Sequence, residues 1–136
     1  MNSLVIKKNQ LQQIIEYCEQ ERPKEACGVL SGKDSQVANI YFLKNISDNP
    51  QFCYLVDPRE QLAVFKEIRQ KNQEVLAIFH SHIDAPAYPS PRDLELAFYP
   101  EVVYLIVSFR NTPAEVRGFS IKEREIKEVK IEVIPE

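Results

Sequence analysis

Val75-Leu76-Ala77-Ile78-Phe79-His80-Ser81-His82 is the stretch that decides the architecture. Five apolar residues in succession, without alternation, describe a strand covered on both faces, and Val102 to Val107 repeats the pattern. Upstream, Asp57-Pro58-Arg59-Glu60 opens a helix. Asp57 can cap it, Pro58 suits the first helical position, and Glu60 stands three residues after the cap, with Leu62, Phe65 and Ile68 on the side to be buried. Further upstream, Leu11, Ile14, Ile15 and Cys18 recur at helical spacing from Asn9 onward, and the helix ends near Arg22-Pro23. Ala26 to Leu30 is a short apolar run, Ser31 to Ser35 a turn, and Val37 to Leu43 the returning strand of a hairpin. Phe52 to Val56 reads as a short strand. Downstream, Ser90-Pro91-Arg92-Asp93 opens a short helix through Leu94, Ala97 and Phe98, and Val116 to Ile121 with Ile126 to Val133 forms a closing pair of strands. The fold class expected is α/β, a mixed sheet with helices packed on it.

The chain has 136 residues, 44% of them hydrophobic and 27% charged, which is the balance of one globular domain spanning 1–136. Seventeen Lys and Arg stand against 20 Asp and Glu, for a net charge of −3. That acidic excess argues against a nucleic-acid partner. No apolar run is long enough to span a bilayer, and Met1 to Gln10 lacks the apolar centre of a secretion signal, so a membrane role is not expected. Three scattered cysteines make no disulfide framework, and a cytoplasmic protein with reduced thiols is expected.

His80 and His82 are the only histidines. Residues two apart on a strand point to the same face, about 7 Å apart, so both imidazoles can converge on one cation where the strand becomes loop. The bland alternative is a pair of surface histidines bonded to backbone. A third ligand separates the two readings, and two candidates exist. Asp84 would give the H-x-H-x-D of metallo-β-lactamase-like hydrolases, but Ala85 follows it and no further histidine completes that site. An amidohydrolase barrel needs about 250 residues. Asp93 gives His80-x-His82, seven residues, Ser90, two residues, Asp93, with the intervening segment stiffened by Pro86, Pro89 and Pro91. Ser90 as cap and Asp93 in the first turn are rigidly held, and two histidines with one aspartate and an open position are the donor set of catalytic zinc. A zinc-activated water needs a proton acceptor, for which Glu25 is the best local candidate, at the entrance of the Ala26 to Leu30 strand. The alternative is an exposed glutamate in the polar patch Glu21 to Lys24.

Glu25 with Cys27-Gly28-Val29-Leu30, then His80-Ser81-His82, then Ser90-Pro91-Arg92-Asp93, resembles the JAMM (MPN+, Mov34/PAD-1) zinc metalloprotease motif at every motif position. The resemblance implies a cytidine-deaminase-like three-layer fold. It implies one zinc per chain, bound by His80, His82 and Asp93, with Glu25 moving the water's proton and Ser90 stabilising the oxyanion. The residue after the second histidine is Ile83 where many relatives have proline, and the length leaves little room for the insertions of eukaryotic deubiquitinating members. The segment Ala85 to Ala97 is similar to the compact prokaryotic branch. Some members of that branch cleave after the C-terminal Gly-Gly of ubiquitin-like sulfur-carrier proteins, so such a carrier or its adduct is the expected partner. The alternatives are a non-catalytic interaction module, which typically lacks motif residues, and the same chemistry on phage-tail or cell-wall peptides. Oligomeric state is left open, a homodimer among the options. Cys27 and Cys18 are expected as core residues, and Tyr88 and Phe98 as packing.

Overall fold

A computed structural model describes residues 2–136. The chain runs β1 (Ser3–Lys7), α1 (Lys8–Glu21), β2 (Cys27–Lys33), β3 (Gln36–Leu43), α2 (Pro58–Gln70), β4 (Glu74–His82), α3 (Pro91–Glu95), β5 (Val103–Ser108), β6 (Glu115–Lys122) and β7 (Glu125–Ile134). It is a mixed α/β structure, with strand order β1-β3-β2-β4-β5-β6-β7. β7 returns to pair in parallel with β1, and β1 touches β3 at the single pair Val5 and Gln36, so the sheet curls until it closes.

Central β4 lies antiparallel to β2 and parallel to β5. Its period-two alternation sorts the side chains. Ala77 and Phe79 join the main core with Ile14 and Cys18 of α1, while Ile78 faces the cluster of Val102, Tyr104 and Ile121 beside α3. His80 and His82 continue the face of Ile78. α2 packs its Ile68 with Cys27, Val29, Leu43 and Tyr54. Gly28 is required by packing, since an added Cβ would collide with the Phe79 ring and the Tyr41 carbonyl. The β2–β3 and β6–β7 hairpins turn on two residues of positive φ, Asp34-Ser35 and Glu123-Arg124, the conformation that matches strand twist.

Several expectations are corrected. β1 was not anticipated, although Leu4 and Ile6 alternate into the core. Phe52 to Val56 is not a strand. Apart from one bridge between Asn45 and Val56 it is irregular and held by side-chain hydrogen bonds. Leu62 is 69% exposed on α2, because the residues that meet the sheet there are Val64, Phe65 and Ile68. α3 ends at Glu95, and Phe98 is 69% exposed instead of packed. β4 runs through His82, so both histidines sit on strand and not at the start of a loop. Parallel pairing of His80 with Ile106 and of His82 with Ser108 extends it. At α2 the Asp57 side chain accepts from Arg59 N (2.9 Å), but Glu60 reaches Lys44 N (3.2 Å) and does not close a capping box.

Candidate metal centre

Strand periodicity and one helix cap build the centre. His80 and His82 project from the same face of β4. At the start of α3 the capping box is complete: Asp93 N donates to Ser90 Oγ (3.1 Å), and Ser90 N donates to Asp93 Oδ2 (2.9 Å). The cap aims the Asp93 carboxylate back at the strand. His80 Nε2, His82 Nε2 and Asp93 Oδ2 then form a triangle with all three edges 3.1 Å. Donors bound tetrahedrally at about 2.0–2.1 Å from one ion stand about 3.3 Å apart, so this set fits a small divalent cation. His80, His82 and Asp93 are 1%, 3% and 8% exposed, and they form a group able to hold a metal.

Electrostatics agree. Burial pushes the Asp93 carboxyl up, but the charge and hydrogen bond of His80, the His82 hydrogen bond and the Ser90 N–H outweigh it and hold the group well below the usual carboxylate range. Burial pushes His82 down, yet bonding to Asp93 and to the Pro86 carbonyl leaves it raised. His82 Nδ1 lies 2.8 Å from Pro86 O, which makes Nδ1–H the donor and leaves the Nε2 lone pair for a cation. The imidazole plane of His80 instead lies against the Tyr54 ring, with centroids 4.5 Å apart and planes at 23°.

Glu25 is buried, 5% exposed, and its Oε1 has no hydrogen-bond partner. Burial drives its carboxyl up to about 8, with His82 pulling down and Asp93 pushing up. It shares a cleft of ≈ 410 Å³ with His82, Ser90, Asp84, Gln51 and Phe52. The Ser90 oxygen accepts in the cap, which leaves the hydroxyl proton free to donate. The five residues singled out in the sequence therefore come together, whereas Asp84 is an exposed residue of the cleft rim outside the donor triangle.

Cys27 pairs with His80 across β2 and β4 but is not part of the donor triangle. It is fully buried in the α2-side core, its Sγ 3.7 Å from Leu43 O. Cys18 is core as expected, while Tyr88 is half exposed and edge-on to Phe119. Three supporting residues escaped the sequence reading. Ser81, between the histidines, points to the opposite face and accepts from Ala26 N (2.8 Å). Asn45 donates to the carbonyls of Glu25 (2.9 Å) and Cys53 (3.1 Å) and accepts from Ser47 N and Leu55 N (both 3.0 Å). Tyr54 stacks on His80. For Ser81 the strand parity was a usable signal; the other two contacts are long-range and leave none.

A family model described as prokaryotic homologs of the JAB domain matches residues 7–122. A desampylase of Pyrococcus furiosus is 40% identical over 110 residues, covering 80% of this chain and 76% of that protein. A CysO-cysteine peptidase of Mycobacterium tuberculosis is 31% identical over 134 residues, covering 96% and 91%. A solution structure of a protein from Desulfitobacterium hafniense superposes with a TM-score of 0.86 at 34% identity, covering 98% of this chain and 94% of that one.

Proposed function

This chain belongs to the family of prokaryotic homologues of the JAB domain, and from that premise we propose a zinc-dependent peptidase or isopeptidase. It would hydrolyse the bond after the C-terminal Gly-Gly of a ubiquitin-like sulfur-carrier protein. The relatives named desampylase and CysO-cysteine peptidase support the substrate class. The observation that carries the chemistry is the unpartnered, buried Glu25 carboxylate in one cleft with His82 and Ser90, beside a closed triangle of metal donors. The same reading treats 1–136 as one domain and the helices on either face of the curled sheet as a cytidine-deaminase-like arrangement. Its three unpaired cysteines suit the reducing cytoplasm.

In this mechanism His80 Nε2, His82 Nε2 and Asp93 Oδ2 would hold a zinc ion. A zinc ion there supplies Lewis acidity, lowering the pKa of water toward about 7 and polarising the scissile carbonyl. Glu25 accepts the proton of the attacking water as its oxygen bonds to the carbonyl carbon. The Ser90 hydroxyl donates to the developing oxyanion. When the C–N bond breaks, Glu25 returns the proton to the amine, and the products are a carrier carboxylate and a free amine. The two glycines of such a tail permit the close backbone approach that a cleft walled by Pro23, Ile83 and Phe52 demands.

Mass spectrometry of a carrier-protein adduct incubated with the zinc-loaded chain is the test. Cleavage after Gly-Gly that stops with a chelator and with Glu25→Gln is expected. Equal cleavage by Glu25→Gln would remove the base from the scheme, and cleavage of murein peptides in preference to the adduct would replace the substrate.

A further inference from the structure

The two imidazoles of the donor triangle are oriented by different means. His82 is tethered through Nδ1 to the Pro86 carbonyl at 2.8 Å. His80 has no such tether, since its Nδ1 is buried without a hydrogen-bond partner. A metal-binding histidine ordinarily gives its second nitrogen to a carboxylate, carbonyl or water, which sets the ring's direction. Without that bond the ring torsion is a broad, soft coordinate. Rotation about it would swing His80 Nε2 out of its 3.1 Å contact with Asp93.

One flat contact stands in the way. The Tyr54 ring lies 4.5 Å from the His80 ring, near parallel at 23°. Tyr54 is itself held: it is 7% exposed and packs in the cluster of Cys27, Val29, Leu43 and Ile68. Cys27 is also the β2 residue paired with His80. The platform and the ligand are therefore fixed to the same strand pair. Tyr54 also lines an apolar groove with Phe65, Ile78, Phe98 and Tyr104.

We propose that Tyr54 is a positioning residue for metal binding, its ring plane holding the His80 imidazole, whose Nδ1 has no tether, with Nε2 toward Asp93. The role belongs to the aromatic plane and not to the hydroxyl. The inference rests on the metal reading of the site.

Zinc affinity measured by competition with a chromophoric chelator, together with the visible spectrum of the cobalt-loaded chain, tests it on Tyr54→Phe and Tyr54→Met. Tyr54→Phe keeps the plane, and its affinity should stay within about threefold of the unsubstituted chain. Tyr54→Met fills similar volume without a plane and should bind about 10–100-fold more weakly, with an altered cobalt spectrum. A folded Tyr54→Met chain with unchanged affinity and spectrum overturns the proposal. So does a Tyr54→Phe chain that loses as much as Tyr54→Met. The unsubstituted, metal-free chain provides a measurement independent of any variant's folding: NMR relaxation should find the His80 ring as ordered as the His82 ring. A markedly more mobile His80 ring also overturns the proposal. Failure of the unsubstituted chain to bind zinc or cobalt sinks the metal reading itself, a different result from normal binding that ignores Tyr54.

Discussion

Ser81 Oγ accepts a hydrogen bond from Ala26 N at 2.8 Å, and Ser81 N donates to Ala26 O at 3.0 Å. The residue between the two histidines is thereby clamped to the residue after Glu25. Glu25 and the His80–His82–Asp93 triangle are held in register across 55 residues of chain by one backbone bond and one side-chain bond. Ser81→Ala leaves a buried N–H unpaired, which should cost about 1–3 kcal/mol. Hydrolysis should fall while zinc affinity changes little, because the donor triangle lies on the other face of β4. Denaturant unfolding, kcat and metal competition on the same preparation check this.

Asp93→Asn keeps a capping residue type at the start of α3 but weakens the only anionic donor of the triangle. The fold should persist, with zinc content dropping from near one equivalent to a small fraction of it. Asp84→Asn, on the cleft rim, should leave zinc content unchanged. Elemental analysis with circular dichroism decides, and equal zinc in both variants would exclude Asp93 as a ligand.

Ser90 has two roles that substitution can separate. As N-cap it accepts from Asp93 N (3.1 Å), and as a hydroxyl it faces the cleft. Ser90→Ala should lose about 1 kcal/mol of stability. Ser90→Gly should lose only a few tenths, since glycine is tolerated at caps. If the hydroxyl stabilises the oxyanion, both should lose about 10²–10³ in kcat. A Ser90→Gly chain with unchanged kcat would leave Ser90 a cap only.

The raised Glu25 carboxyl has a sign that can be measured without metal. Burial lifts it to about 8 from an ordinary 4.5. The folded state then binds the proton more tightly than the unfolded state. Its stabilising contribution is complete below about 4.5 and is lost as pH rises toward about 8, at most about 1.4 kcal/mol per pH unit. Glu25→Gln removes this dependence. In chelator-treated protein the two chains should have similar Tm near pH 4, and Glu25→Gln should be the more stable near pH 8. Parallel curves from thermal unfolding across that range would show that Glu25 is not held out of water.

Asn45 should behave as a hub. Its amide bonds the Glu25 and Cys53 carbonyls and the Ser47 and Leu55 amides, and Pro50 O accepts from Glu25 N at 2.6 Å. Asn45→Ala should destabilise by about 1–3 kcal/mol. It should also open the 44–56 segment to limited proteolysis before global unfolding. Cleavage sites mapped by mass spectrometry test that localisation.

Much of this arrangement is legible in the chain, because it is local. Histidines two apart on an apolar run must share a face if the run is a strand, and Ser-Pro-x-Asp must present its aspartate in the first turn if it caps a helix. Leu11, Ile14, Ile15 and Cys18 sit on α1 as their spacing predicts, with Ile14 and Cys18 buried and the other two packed against the core. Errors arose where local pattern competed with pairing. Phe52 to Val56 has strand composition, but Asn45 takes the hydrogen bonds a neighbouring strand would have used. The apolar Leu62 and Phe98 lie on the exposed rim of the groove that Tyr54 walls.

The sequence by itself determined that His80 and His82 share one face and that Asp93 stands in the first turn of a capped helix, because strand parity and helix capping act over two to four residues. Only the tertiary structure decided that Glu25 is buried beside those donors and that Tyr54 lies flat on His80. Both depend on the antiparallel register of β2 on β4, set by packing summed over the whole core, with Gly28 admitting Phe79 at its centre. No short stretch of chain encodes that register.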